Sequence, residues 1–194
     1  GNDTRVMIRA MEGETVTVTV PANSPVSVGE LTLVAGEGGV ATLVANSGLT
    51  VSGSAEVRSG GVLVLNRFND AGDAPNVVSN NVFVRSGGMI THTGPNSTES
   101  CKVHLAVLGG MLVEAGGAVD VMGKGYSATK GPGGTSGMCT GAAHAGYAYG
   151  NGKSPYGSIF CPTNWGSATR NSSAGGAIHL VVTGSLRVDG HVSA

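Results

Sequence analysis

Apolar and polar residues alternate along most of this chain. At residues 15–20, Val16, Val18 and Val20 fall on one side of an extended backbone and Thr15, Thr17 and Thr19 on the other. That period of two predicts a strand. Shorter ladders follow at 31–35, 40–45, 49–51, 55–58 and 62–65, after an opening one at 5–9. Pro21 and Pro25 break the first run, a loop is expected over 67–76, and the ladder returns at 82–90 and 102–107. No segment of about ten residues carries apolar positions at helical spacing, so essentially no helix is expected.

Strands this short, joined by single glycines, leave little room for two-residue hairpins. The unit x-Leu/Val-x-Val-x-Gly recurs at 48–53, 110–116, 117–123 and 184–190. Stacked coils of two or three short strands accommodate such a unit, with Leu and Val in inward rows and glycine at the corners. The expected fold is all-β, a right-handed parallel β-helix or β-solenoid of irregular coils of roughly 20 residues. A β-sandwich is the alternative; it calls for longer strands and fewer single-glycine joins.

The alternation lapses over residues 123–176 and then resumes in the same phase, so the edges of this excursion should lie close together. It holds all four tyrosines, Tyr126, Tyr147, Tyr149 and Tyr156, and the only tryptophan, Trp165. Such a concentration of rings argues for an ordered loop within a single domain spanning 1–194. Cys139 and Cys161 both lie inside it, where a disulfide would restrain it and imply an oxidising compartment; Cys101 has no assigned partner.

The glycine-rich string Gly123-Lys-Gly-Tyr126, Gly131-Pro-Gly-Gly134, Gly141-Ala-Ala-His144-Ala-Gly146, Tyr156-Gly-Ser158, Pro162, Gly166-Ser167 and Gly175-Gly-Ala-Ile-His-Leu180 resembles a known module. That module recurs in very large secreted or surface proteins of bacteria and protists, generally taken as parallel β-helical and adhesin-like. The resemblance covers roughly 105–194. Alanines stand at 143 and 145, where the module prefers glycine. It implies extracellular, structural or adhesive roles and supplies no catalytic residues.

Composition narrows the function further. Only 12% of residues are charged and the net charge is −1, which offers nothing to a nucleic acid. No apolar run reaches the ~18 residues of a membrane helix, so no direct membrane insertion is expected. The chain opens without Met and closes inside a ladder, so a segment of a longer chain is expected. Sequons at Asn2, Asn96 and Asn171 permit glycosylation.

Candidate chemistry is sparse. No Asp or Glu lies between Asp120 and Asp189, whereas Lys124, Lys130 and Lys153 do. With Tyr126, Tyr147, Tyr149, Tyr156 and Trp165 they form a candidate face for a polysaccharide of the cell surface or matrix, by charge and ring stacking. The five histidines show no tight ligand spacing, so neither metal nor cofactor is expected. His104 and His179 occupy equivalent ladder places and are expected to point outward. Asp70 with Asp73, or Glu114 with Asp120, are the only carboxylate pairs for glycan cleavage. The expected function is therefore a non-catalytic building block that stacks end to end with neighbouring copies or adjacent segments. A carbohydrate-binding module is the first alternative and a polysaccharide lyase or hydrolase the second.

Overall fold

A computed structural model describes residues 4–66, 74–150, 152–160 and 163–194. The described residues contain 17 strands and no helix. A first turn of chain comprises β1 (Arg5–Ala10), β2 (Thr15–Val20) and β3 (Val26–Val28), and a second comprises β4 (Glu30–Ala35), β5 (Val40–Ala45) and β6 (Leu49–Val51). The third comprises β7 (Ala55–Val57), β8 (Gly61–Leu65) and β9 (Asn76–Val78), and the fourth β10 (Val82–Val84), β11 (Met89–Thr91) and β12 (Val103–Val107). Then come β13 (Met111–Val113), β14 (Ala118–Asp120) and β15 (Ile178–Val182), and finally β16 (Leu186–Val188) and β17 (His191–Ser193).

Every third strand pairs with the next. Two six-stranded sheets and one five-stranded sheet result, ordered β1-β4-β7-β10-β13-β16, β17-β14-β11-β8-β5-β2 and β15-β12-β9-β6-β3. The strand pairs are parallel, an arrangement consistent with a β-solenoid. It does not fit the sandwich alternative, whose neighbouring strands run antiparallel. Strands β3 and β9 fall where no ladder is expected: β3 directly follows Pro25, and β9 opens at the end of the loop expected over 67–76.

The chain divides into two compact units. The first comprises Gly1–Thr91, Val103–Asp120 and Leu180–Ser193 and contains the ladders. Its core is made of rows of aliphatics in exact register. Ile8, Leu33, Val57, Val84 and Val113 stack through the first sheet, and Leu43, Leu63, Ile90 and Val119 through the second, all buried. Branched aliphatic side chains of this size suit so thin a core because each fills about one strand spacing. One polar residue enters the rows of the third sheet. Asn76, 1% exposed, accepts the Leu49 N–H at Oδ1 (3.0 Å) and donates from Nδ2 to the His104 carbonyl (3.1 Å).

Glycine turns the corner between the first and second sheets. Gly87 there has φ of +74°, which a side chain rarely adopts, and a Cβ on the following Gly88 would lie 2.2 Å from the Val57 carbonyl oxygen.

The second unit comprises His92–Lys102, Val121–His179 and Ala194. What reads in sequence as one excursion is thus joined by a second, shorter one; both leave the ladder between a strand of the second sheet and one of the third. The edges of the long excursion meet, as the equal phase of its flanks requires: Gly176 donates to the Val121 carbonyl (2.9 Å) and Gly125 to that of Ala174 (2.8 Å). Here glycine serves close backbone contact. A Cβ on Gly125 would fall 2.0 Å from the Gly175 oxygen, and one on Gly133 2.1 Å from the Ala143 oxygen.

Candidate functional site

Two places gather chemistry-bearing side chains, one in each unit. In the second unit the centre is Trp165, fully buried with Cys101 and Ala177. Its indole N–H donates to the Cys101 carbonyl (2.7 Å), and its ring lies parallel to His92 at 5.5 Å and edge-on to Tyr126 at 5.6 Å. Tyr156 donates its hydroxyl to the Trp165 carbonyl (2.6 Å) and sits against Ser167 Oγ (2.7 Å), while Ser167 Oγ accepts the Gly133 N–H (2.9 Å). The rings therefore build a small core, since they supply the largest apolar surface in a stretch poor in aliphatics.

That geometry removes Trp165 from any face open to a glycan. Tyr126 and Tyr156 are partly buried against it, whereas Tyr147 and Tyr149 are 84% and 87% exposed. Lys130 and Lys153 are exposed and Lys124 is half-buried. The candidate contact residues are thus split between a core and a surface. Cys139 is a free, exposed thiol and Cys161 lies outside the described residues, so the expected bridge gains no support. Of the sequons, Asn171 is exposed, Asn96 is half-buried with its Nδ2 donating to Ser100 Oγ (3.0 Å), and Asn2 lies outside the described residues.

Cys101 and His92 approach within 3.5 Å, Sγ to Nδ1. Burial pushes the Cys101 thiol up, and burial pushes the His92 imidazole below its ordinary value, with Lys124 nearby adding to the effect. Both groups are held neutral. A protonated thiol shielded from solvent is a poor nucleophile, so this pair belongs to the core. His104 is buried, whereas His179 is exposed. No group of three or more metal-ligating side chains occurs among the described residues.

In the first unit, the outer face of the six-stranded sheet that begins with β1 bears registered rows of its own. Arg85 donates from Nε to Glu56 (2.6 Å) and from Nη1 to Glu114 (2.5 Å), while Arg58 also holds Glu56 (2.5 Å). Burial raises the Glu56 carboxyl, but the hydrogen bonds and charges of Arg58 and Arg85 outweigh it and leave the group below its usual range. Phe83 lies beneath the Arg85 guanidinium, 4.6 Å from its carbon to the ring centre. Glu114 is therefore engaged on one sheet, while Asp120 stands on another and accepts from Ser193 Oγ (2.7 Å). The two carboxylates thus have different partners. Asp70 and Asp73 lie outside the described residues.

No protein family, curated protein or solved structure matches the chain. Phe83 and Arg85 carried no signal in the sequence beyond membership of a ladder; only the strand register brings them beside Glu56 and Glu114.

Proposed function

We propose that this chain is a structural or adhesive block of an extracellular surface protein or filament, non-catalytic, built as a right-handed β-solenoid. The observation that carries the reading is how its polar side chains are used. Asn76 joins three successive turns of chain, and Arg85 joins its own turn to the turns on either side. Such side chains hold turns together, which is the use a structural block makes of them.

The right hand follows the general preference of parallel strand connections. Assembly would run along the ladder axis, against a neighbouring copy or an adjacent segment. Leu186, Val188 and Val192 continue the buried rows yet are 50%, 43% and 43% exposed, so a further turn of chain would cover them. A second reading, contact with surface polysaccharide through the second unit, keeps Tyr147 and Tyr149, whose rings are exposed.

Sedimentation velocity with negative-stain microscopy tests the proposal. The expected result is rods that lengthen with concentration, and loss of that growth in L186K/V192K. A single short particle at every concentration would overturn stacking, and release of reducing ends from polysaccharides would overturn the non-catalytic role.

A further inference from the structure

The outer face of the β10–β13–β16 region carries a recess of about 300 Å³ lined by Asn81, Phe83, Leu112, Ser185 and Arg187, among others. A second, of about 190 Å³, adjoins it and is lined by Thr32, Glu56, Phe83 and Arg85, among others. Phe83 borders both. Register explains the grouping. Phe83, Leu112 and Arg187 occupy one outward row on consecutive strands, and Asn81, Gly110 and Ser185 precede the same three strands. With strands ~4.8 Å apart, Arg187 stands roughly 10 Å from Phe83 along the ladder.

Donors stand at the edge of the recess. Asn81 Oδ1 is occupied by the Gly110 N–H (2.8 Å), which leaves its amide Nδ2 to donate. Ser185 presents a hydroxyl. Arg187 is held by Asp189 through Nε alone (2.8 Å), so its two terminal nitrogens remain for a ligand. Beside these donors the recess is apolar, formed by Leu112 and the side of Phe83 that the Arg85 guanidinium leaves uncovered. An apolar recess edged by donors and one cation fits a molecule with a flat apolar face and a carboxylate edge.

From this geometry we infer that the recess binds an acidic oligosaccharide, one containing uronate residues. A sugar ring lies on Leu112 and against the side of Phe83 that faces the recess, the other side being covered by Arg85, and the carboxylate of a neighbouring ring meets Arg187. The site is distinct from the tyrosines of the second unit and does not depend on end-to-end stacking.

Calorimetric titration with tetragalacturonate and tetramannuronate tests it, with cellotetraose as the neutral control. At least one uronate is expected to bind saturably and to weaken with salt, and cellotetraose to bind at least about tenfold less tightly. Phe83→Ala is expected to weaken the uronate about tenfold or more. Arg187→Gln, an exposed change that should leave the melting temperature unaltered, is expected to abolish the preference for the acid. Three results would overturn the inference: failure of both uronates to bind, equal binding of cellotetraose, or uronate binding indifferent to both substitutions. Indifference combined with loss in Y147A/Y149A would move the sugar to the second unit.

Discussion

Asn76 donates from its side-chain amide to the backbone carbonyl of His104, 28 residues later, across 3.1 Å of buried interior. Its oxygen meanwhile takes the N–H of Leu49, 27 residues earlier. One side chain thus ties three turns of chain inside a row that is otherwise aliphatic. Asn76→Leu restores the apolar row but takes the acceptor from the Leu49 N–H and a donor from the His104 carbonyl, and a buried polar group left unmet costs about 1–3 kcal/mol. Chemical denaturation should show that loss; an unchanged midpoint would mean that the two backbone groups find other partners.

The corner glycines separate two physical demands. Gly13 has φ of +68° and open space around a Cβ, so Gly13→Ala should cost only the left-handed strain, about 1–2 kcal/mol. Gly88→Ala meets the Val57 carbonyl at 2.2 Å and should cost clearly more. Thermal melts of the two variants decide it, and equal losses would show that the corner yields easily.

Glu56 gives an acid dependence. Its carboxyl titrates below the ordinary 4.5, so its contribution is present above that value and is lost as pH falls through the lower folded value. Because the group is partly exposed, the effect is modest, about 1 kcal/mol or less. Glu56→Gln should therefore lose stability at pH 6 and lose less than the parent on further acidification to pH 3. Parallel pH profiles would refute the pairing with Arg58 and Arg85.

His92 acts in a higher window. It lies buried between Trp165, Cys101, the Thr93 carbonyl and the Ala177 N–H, with Lys124 near. Its folded value is depressed, so stability is complete above about 6.5 and falls as pH drops through that value toward the folded one. Burial raises both Cys101 and Tyr126, so neither ionises in this range. Trp165 is the only tryptophan and stacks on His92, so its emission reports the second unit directly. Denaturation followed by Trp165 fluorescence should shift to lower denaturant at pH 5.5 than at pH 7.5, and His92→Phe should remove most of that shift.

The ladders were legible in sequence because alternation over five or six residues, as at Thr15–Val20, has no other simple solution. Coil length was not. The repeating unit seen at 48–53, 110–116, 117–123 and 184–190 falls on all three sheets, so its period is that of a strand and a corner rather than of a full turn. Separations such as the 29 residues from Arg85 to Glu56 and to Glu114 emerge only once loops of unequal length are absorbed between strands. The place of Trp165 was hidden for a related reason. Its partners Cys101 and His92 come from a second break in the ladder, 64 residues before it in the case of Cys101. The recess at Phe83 had no local signature, because its walls are consecutive members of a row.

The parallel, in-register stack is the claim on which the rest depends. Distances between paired nitroxides by pulsed electron resonance test it most directly, in a chain whose native cysteines are replaced by alanine. One label at Met7, exposed on β1, is paired with a second at Leu112 or at Arg187, four and five strands along the same row. The expected backbone separations are roughly 19 Å and 24 Å, growing by about one strand spacing between the two. A separation that shrinks or stays constant from Leu112 to Arg187 would contradict the stack.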